Sequence, residues 1–371
     1  GTGYVLDTEK SICTNNTTPV WSDNKLYLDN LQNRGTSCYL YFKKLCPPGA
    51  TACETILSDL TISDERNGEI TGPLSENTTG TIYRVPDDWG NSYAYAGQVD
   101  NNWIYFAGYY WRIIRINGDG SIRMIYNGTT TDQTGGGTQI GTSAYNTNYN
   151  DNAYVGYMYG TAGSSTYEAT LANTNDSTIK QTLDNWYQTN IADKNYGQYI
   201  STEQGFCNDR QTMSGVDSSY GIAGYGTNAT SYASWGRLYQ NGIWLGSQNP
   251  SLKCSGSNDY FTISGSSRGN HKLMYPVGLI TMDELVLAGG FGGSSNSNFY
   301  LYTNQYYWSM SPSNFNSTDS SASVFSMWAN GLIDDSYAYG TWGIRPVINL
   351  KSNLMITGTG TTSDPYKVEG A

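Results

Sequence analysis

The sharpest pattern of hydrophobic and polar positions along the chain lies between Tyr109 and Tyr126. Apolar residues fill the run from Trp111 to Ile116, and a second strand-like run extends from Ser121 to Tyr126. Between them stands Asn117-Gly118-Asp119-Gly120, whose residue types accept the positive φ angles of a tight turn. The segment therefore predicts a β-hairpin around which the rest of the chain is organised.

Three arginines occupy this hairpin, although the whole chain contains only 20 basic residues. We expect Arg112, Arg115 and Arg123 to flank the sheet, with aliphatic stems on apolar surface and charged heads in water or paired with carboxylates. The alternative is that one of them binds an acidic ligand. No motif for an acidic substrate accompanies them, so we interpret the three as part of the scaffold.

Helical periodicity is clearest in two segments. Residues from Asp176 to Ile191 predict the longer helix, capped by Asp176 or Ser177. Its apolar face is formed by Ile179, Leu183, Trp186, Tyr187 and Ile191. Thr281 and Glu284 have the spacing of a capping box, and Gly289-Gly290 predicts the end of a second, shorter helix.

The last third of the chain alternates apolar and polar positions as strands do. The predicted strands are Tyr306–Met310, Ala322–Met327 and Gly343–Leu350, with a hairpin turn at Asn330-Gly331 and an extended hairpin between Ile356 and Val368. The chain therefore predicts many strands, few helices and long loops, the latter through residues 127–170 and 211–260.

At 371 residues the chain is long enough for two domains. Residues 1–60 predict a small all-β domain, because short alternating runs are separated by turn residues. Trp21 between Cys13 and Cys38 is typical of an immunoglobulin-like sandwich, but the unit supplies about four strands where such a sandwich has about seven. We expect this domain to be incomplete or completed from elsewhere, and residues 61–371 to form a larger α+β domain.

Aromatic and uncharged polar residues dominate the composition. Charged residues make up 14% of the chain, against roughly 25% in an average globular protein, whereas Tyr numbers 33 and Trp 10. Aromatic rings must therefore supply much of the buried area. A formal net charge of −11 without basic runs argues against nucleic acid as a partner. No apolar stretch approaches about 18 residues, so we expect no membrane insertion.

The chain has six cysteines and one histidine. No cysteine pair has C-x-x-C spacing, so a Cys/His metal site is not expected. An even number of cysteines in such a chain predicts three disulfides and a secreted, extracellular protein. We expect the pairs Cys13–Cys38, Cys46–Cys53 and Cys207–Cys254, although the sequence alone permits other connectivities.

Four motifs follow one another between about residues 75 and 370. They are Gly108–Gly120, Gly278–Thr281 with Glu284 and Gly289-Gly290, Trp308–Pro312, and Gly343–Val347. Together they resemble a signature of uncharacterised surface proteins of Gram-positive, gut-type anaerobes. The order of these elements and the closing Gly-x-Arg-x-Val strand are similar to C-type-lectin-like folds, including their formylglycine-generating-enzyme branch. The resemblance implies a C-type-lectin-like α+β domain behind the small, immunoglobulin-like β domain.

The activities that this resemblance implies lack their residues here. The enzyme branch oxidises through a late pair of reactive cysteines, and no cysteine follows Cys254. Calcium-dependent lectins use Glu-Pro-Asn and Trp-Asn-Asp, and neither tripeptide occurs. His271 lies in a polar stretch and is expected at the surface, and Asp334-Asp335 predicts a solvated turn rather than the facing carboxylates of a glycosidase. We therefore expect no enzymatic activity and no catalytic residue.

A calcium ion is the one cofactor that the sequence leaves open. Asp87, Asp88 and Asn91 stand in a turn and could offer oxygen ligands. We favour the alternative, in which these side chains hydrogen-bond to the backbone of their own turn.

Two functional interpretations follow from the composition. Low charge with many Tyr, Trp, Asn and Ser suits broad contacts, which favours a self-assembling, pilus-like filament or surface-appendage subunit. An extended terminal segment of a neighbouring copy would then complete a sheet by strand addition. The alternative is a monomeric adhesin that binds host or bacterial glycans, with Trp89, Trp235 and Trp244 stacking on sugar rings from the long loops.

Overall fold

Two β-sheets carry the fold, and short helices pack against them. The computed structural model describes residues 4–7, 10–22, 25–31, 35–213, 221–240, 243–244 and 246–371. Across these ranges the protein is a sheet-rich α+β structure, as the sequence predicts. Fully buried Trp and Tyr side chains lie in the core beside aliphatic ones, in line with the expectation that aromatic rings contribute much of the buried area. They include Tyr95, Trp111, Tyr145, Tyr157, Tyr232, Tyr307 and Trp308.

The central hairpin is confirmed and belongs to a nine-stranded sheet. Its two strands are Tyr109–Ile116 and Ile122–Tyr126, which pair antiparallel with a register shift between Ile113 and Arg115. The sheet order is Ile356–Thr357, Tyr366–Val368, Trp103–Phe106, Tyr109–Ile116, Gly90–Ala94, Thr81–Asp87 and Thr61–Ser63, while Ile122–Tyr126 joins Tyr109–Ile116 to Val347–Leu350.

The strand Tyr109–Ile116 has almost no solvent-facing side, since its residues from Trp111 onward are all buried. It pairs with three other strands, which are Trp103–Phe106, Gly90–Ala94 and Ile122–Tyr126. A strand covered on both faces reads as a continuous apolar run rather than an alternating one. The polar side chains that interrupt this run must therefore find partners inside the protein.

A second sheet has six strands and comes mainly from the last third of the chain. Its order is Thr142–Ala144, Thr341–Gly343, Tyr307–Asn316, Ser321–Met327 and Ile333–Tyr337, with Thr230–Ser231 also paired to Tyr307–Asn316. The predicted turn at Asn330-Gly331 connects the last two strands in sequence. The strand Ile333–Tyr337 lies at one edge of this sheet.

The helices are short. The α-helices are Thr51–Leu57, Tyr167–Thr170, Thr178–Tyr187, Ala233–Leu238 and Met282–Leu287, the 3₁₀-helices are Gly135–Thr138, Asn152–Val155 and Tyr196–Tyr199, and a π-helical turn covers Gln188–Ala192. Both predicted helices are confirmed: the Ser177 side chain caps the first, and Thr281 with Glu284 forms the capping box of the second.

The remaining strands form two-stranded pairs. They are Tyr4–Leu6 with Phe42–Lys44, Ile12–Cys13 with Cys38–Tyr39, Thr18–Ser22 with Lys25–Asp29, Met158–Tyr159 with Asn175–Asp176, Phe206–Cys207 with Tyr260–Phe261, and Tyr239–Gln240 with Ile243–Trp244. The first three pairs make up the N-terminal unit, residues 4–44. The helix Thr51–Leu57 contributes buried residues to the same core as the two large sheets, and a domain boundary near residue 60 stays a prediction.

The three disulfides form between Cys13 and Cys38, Cys46 and Cys53, and Cys207 and Cys254, as predicted. Such bonds are consistent with a chain that resides outside the cytoplasm. Cys13 and Cys38 stand directly opposite each other on paired strands, so this bond joins neighbouring strands of one ribbon. Among the described helices, none has the length and apolar character needed to cross a membrane.

Candidate functional site

A buried cluster of ion pairs holds two of the hairpin arginines. Arg115 Nη1 lies 2.8 Å from Asp87 Oδ2, and Arg115 Nε lies 3.0 Å from Glu284 Oε1. Arg123 Nε approaches the same carboxylate to 2.5 Å. Of the two expected placements of these guanidinium groups, in water or paired with carboxylates, the pairing is confirmed for both residues. Neither side chain reaches into water, because both are buried.

Arg112 is buried as well, but neutral groups hold it. Its Nε donates to Asn102 Oδ1 at 2.6 Å, and its Nη2 donates to the carbonyl of Val99 at 2.5 Å. The guanidinium lies 4.1 Å from the ring centroid of Trp103. Burial lowers the pKa of Arg112 to about 9. The predicted head in water is therefore wrong for Arg112, and all three arginines serve the scaffold.

Glu284 connects the short helix Met282–Leu287 to the central hairpin. Its carboxylate accepts from Thr281 N at 3.0 Å, while the Thr281 hydroxyl accepts from Glu284 N at 3.1 Å. Burial alone would raise the pKa of Glu284, but the charges of Arg123 and Arg115 outweigh burial and leave that pKa below its usual value. One carboxylate thus caps a helix and neutralises buried cations, and the sequence pattern indicates only the first role.

The space inside this cluster is too small for an organic ligand. The cavity that Arg115, Arg123 and Glu284 help to line measures about 30 Å³. That is roughly the share of one molecule in liquid water. The cluster is therefore a polar part of the core with room for a buried water.

In the turn considered for calcium, the Asp87 and Asp88 carboxylates accept hydrogen bonds from the protein itself. The Asp87 carboxylate accepts from the backbone N–H groups of Trp89, Gly90 and Gly118 and from the Arg115 guanidinium. Asp88 Oδ2 accepts from Cys254 N at 2.9 Å. Within the described ranges no group of three His, Cys, Asp or Glu side chains is placed to hold a metal ion. The favoured alternative for Asp87, Asp88 and Asn91, a turn bonded to its own backbone, agrees with the contacts of Asp87.

A wider groove of about 490 Å³ opens on the six-stranded sheet beside the edge strand Ile333–Tyr337. Its aromatic lining is Trp235, Trp328, Tyr337, Tyr339 and Trp342. Its polar lining is Asn314, Asn316, Ser323, Asp334, Asp335 and Ser336. A concave site of this size with aromatic walls and a few polar groups is the usual form of a small-ligand site.

Tyrosine rings form one wall of the groove. Tyr337 ends the strand Ile333–Tyr337, and Tyr339 lies in the turn that follows, where Gly340 N donates to the Tyr337 carbonyl at 2.8 Å. Their rings stack at 5.4 Å with an interplanar angle of 9°, and 45% and 46% of their surfaces are exposed. The ring of Tyr149 lies 4.5 Å from that of Tyr339. We call Tyr149, Tyr337 and Tyr339 the tyrosine shelf.

Tryptophans support the other side. The Trp342 ring stacks on Tyr306 at 4.5 Å, and the Trp328 ring lies 5.7 Å from the same tyrosine. The indole N–H groups of Trp328 and Trp342 are buried and have no hydrogen-bond partner in the part of the chain that the structure describes. Buried donors without partners are rare in native proteins and are concentrated where structure serves function.

Two carboxylates stand in the groove without a cation. Burial raises the pKa of Asp334 to about 7, and the negative charge of Asp335 adds to this rise. Burial also raises the pKa of Asp335, against hydrogen bonds from Ser323 and Asn314. Among the described residues that line the groove, none is a lysine or an arginine. The predicted solvated turn at Asp334-Asp335 is wrong, since both residues belong to the strand Ile333–Tyr337 and are partly buried.

The tryptophans predicted to stack on sugars lie in different places. Trp235 lines the groove, but only 5% of its surface is exposed. Trp89 lies half-buried in another part of the molecule, where the Arg268 guanidinium covers its ring at 4.4 Å and its Nε1 donates to the Tyr260 hydroxyl at 3.3 Å. The side chain of Trp244 is outside the described residues.

The sequence analysis predicted sugar contacts in the long loops, whereas most of the groove is lined by residues of the six-stranded sheet and its turns. The twelve residues after the Asn330-Gly331 turn contain Asp334, Asp335, Tyr337, Tyr339 and Trp342. Two tyrosines at alternate positions beside adjacent carboxylates, on a predicted hairpin, were the available signal.

The structure is that of a disulfide-bonded, sheet-rich α+β protein with a groove of aromatic and acidic residues on its second sheet. A scan against protein-family models, a search of curated proteins and a search of solved structures find no match to this chain.

Proposed function

We propose that this chain is a secreted, cell-surface protein that binds carbohydrate in the groove. The observation that carries the proposal is that Tyr337 and Tyr339 of the tyrosine shelf line one groove together with partly buried carboxylates and amides. A binding role of this kind requires no chemical step, in keeping with the expected lack of enzymatic activity. Glycan binding was the alternative function in the sequence analysis. The proposal now makes it the main function and assigns it to the groove residues instead of the long loops.

The shelf suits the apolar face of a sugar ring. A pyranose presents C–H groups on its faces and hydroxyl groups around its rim. Exposed rings such as Tyr337 and Tyr339 bury C–H surface at low entropic cost, because a tyrosine has only two rotatable side-chain bonds. Their stacking also fixes the two rings relative to each other before any ligand arrives.

The polar lining suits the rim of the sugar. Carboxylate and amide oxygens accept hydrogen bonds from hydroxyl groups, and an ionised carboxylate accepts stronger ones. Asp334, Asp335 and Asn314 place such acceptors in the same groove as the aromatic side chains. The combination of ring faces with a few acceptors supports carbohydrate as the ligand class.

A glycan-array screen followed by calorimetric titration tests the proposal. Tyr339→Ala should weaken binding of the best glycan by about 1–2 kcal/mol, or roughly 5–30-fold, since it removes an exposed stacking ring. Tyr105→Ala is the matched control, because Tyr105 is also exposed but lies on the nine-stranded sheet. A wild-type protein that binds no glycan, or equal losses in both variants, would contradict the proposal.

The assignment of the two predicted domains to known folds is part of the same proposal. The order of elements supports a C-type-lectin-like domain, and the N-terminal unit is proposed as an incomplete immunoglobulin-like domain. Membership in the surface-protein group with the same four motifs, and an extracellular location, are supported by the motifs and by the disulfides.

A second candidate function is self-assembly through the N-terminal unit. Nine of the sixteen exposed large apolar side chains of the described residues lie between Tyr4 and Phe42. Ile12 and Tyr39, which are 62% and 66% exposed, stand opposite each other on paired strands. Exposed apolar surface on two-stranded ribbons with open edges favours a docked partner.

Charge favours a second copy of the chain as that partner. Residues 1–45 contain five basic and four acidic residues, whereas residues 46–371 contain fifteen basic and 27 acidic residues. The nearly neutral unit of one copy is therefore attracted to the acidic remainder of another.

Sedimentation velocity and electron microscopy test this second function. The wild type should form oligomers or filaments, and Ile12→Asp should shift the population toward monomers by placing a charge in the contact. Met274→Asp is the control, since Met274 is exposed outside the N-terminal unit. A wild type that stays monomeric at high concentration would rule out self-assembly and leave the glycan proposal standing.

A further inference from the structure

Two buried arginines elsewhere in this molecule lie between an aromatic ring and a carboxylate. Arg123 lies 5.0 Å from the ring centroid of Phe206 and pairs with Glu284. Arg210 lies 5.6 Å from the ring centroid of Phe261, and its Nε donates to Asp259 at 2.8 Å. A ring face and a carboxylate both present negative potential, so both stabilise a buried cation.

The groove contains the same two kinds of group without a cation. The cation–π contacts among the described residues do not involve the rings of Trp328, Tyr337, Tyr339 or Trp342 in the groove lining. The sequence has no lysine or arginine from Leu273 to Ile344, a stretch with five acidic residues. The strands that build most of the groove therefore cannot supply the missing positive charge.

The other charged groups around the groove add to this imbalance. Asp319 Oδ2 accepts from the Tyr337 hydroxyl at 2.9 Å, which places a third carboxylate beside the tyrosine shelf. Asp335 N donates to Asp334 Oδ1 at 2.9 Å, so the backbone satisfies only part of the acidic pair. A neutral sugar would bring hydroxyl groups to these carboxylates and leave their charge uncompensated.

We propose that the groove selects a sugar bearing a free ammonium group, an unacetylated amino sugar, bound between the tyrosine shelf and the carboxylates of Asp334 and Asp335. This inference rests on the proposed carbohydrate-binding function and names its ligand class. An ammonium group offers three hydrogen-bond donors and a full charge, whereas the N-acetyl group of the common amino sugars offers one neutral donor. The raised pKa values of the acidic pair fit such a site, since a bound cation would favour its ionised form.

Titration calorimetry with two disaccharides of glucosamine tests the inference near neutral pH and physiological salt. One carries free amino groups and the other is the N,N′-diacetylated form, so the two differ only in charge and acetylation. The wild type should bind the free amine at least about tenfold more tightly, because the ion pairs form only with that ligand.

The variants Asp334→Asn and Asp335→Asn should lose this preference while keeping affinity for the acetylated disaccharide. Asp193→Asn removes one charge from an exposed site outside the groove lining and should keep the preference, which controls for nonspecific attraction of a cation to an acidic protein. Tryptophan and tyrosine near-UV circular dichroism checks that each variant retains its packing.

The possible results distinguish selection of an ammonium-bearing sugar from carbohydrate binding in general. Equal affinity for both disaccharides, or a preference that survives both groove substitutions, overturns the ammonium inference while carbohydrate binding stands. Failure of the wild type to bind either disaccharide or any glycan of the array overturns both.

Discussion

Replacing Asp334 with Asn should stabilise the protein at alkaline pH. Asp334 belongs to an acidic pair without a basic neighbour in the groove lining, and burial raises its pKa from an ordinary 3.8 to about 7. Between these two values the folded protein holds a proton that the unfolded chain has released. Stability therefore falls as the pH rises from about 4 to about 7, which is the sign expected for a carboxyl with a raised pKa.

The size of the effect follows from the shift. About three pKa units at 1.36 kcal/mol each would give about 4 kcal/mol for a wholly buried group. Asp334 is only partly buried, so solvent screening reduces this to about 2 kcal/mol. Asn preserves the shape and the oxygen that accepts from Asp335 N, so removal of the charge is the main change.

Urea unfolding at pH 8 and near pH 4 measures this difference. Asp334→Asn should raise the free energy of unfolding by about 2 kcal/mol at pH 8 and change it little near pH 4. Asp193→Asn, at an exposed site, should stay within about 0.5 kcal/mol of the wild type at both pH values. A neutral or destabilising Asp334→Asn at pH 8, or the same change at both pH values, would refute the reasoning.

Three further outcomes are expected from stability measurements. Glu284→Gln should lower the free energy of unfolding by about 3–5 kcal/mol in urea titrations, because it leaves buried arginines short of a counter-charge. Thr281→Ala removes only the cap and should cost about 1 kcal/mol in the same assay; equal effects of the two would contradict the double role of Glu284. Replacing Cys207 and Cys254 together with Ser should cost about 4 kcal/mol and lower the thermal midpoint, since the bond closes a loop with a sequence separation of 47.

Local signals predicted the elements of this fold well. The Asn117–Gly120 turn, the Ser177 cap and the Thr281–Glu284 box each act within a few residues, so their residue types suffice to place a hairpin and two helices. The disulfide pairs join cysteines that follow one another along the chain, as expected, although the sequence alone permits other connectivities. These features do not depend on which distant segment packs against them.

The arginines were misplaced because their partners are distant in sequence. Arg115 bonds to Asp87 across 28 residues and to Glu284 across 169 residues. An isolated strand with arginines reads as partly exposed, and only the burial of successive residues in the folded protein shows that both faces are covered. Ion pairs between residues so far apart in the sequence produce no local sequence pattern from which they could be predicted.

The groove was missed for the same physical reason. Trp235, Asn314, Trp328 and Trp342 come from separate segments that meet only when the six-stranded sheet forms. Read alone, Asp334-Asp335 resembles a polar turn, because adjacent carboxylates usually remain in water. A pair kept partly buried without a counter-charge lowers stability, and carboxylates perturbed in this way mark a candidate functional site.

The structure of the protein with a bound oligosaccharide tests the central claim most directly. Crystals soaked with the best ligand of the glycan screen should show a sugar ring against Tyr337 and Tyr339, with its polar groups on Asp334 or Asp335. A ligand bound instead beside Trp89 or on the loops of residues 127–170, with the groove empty, would contradict the account.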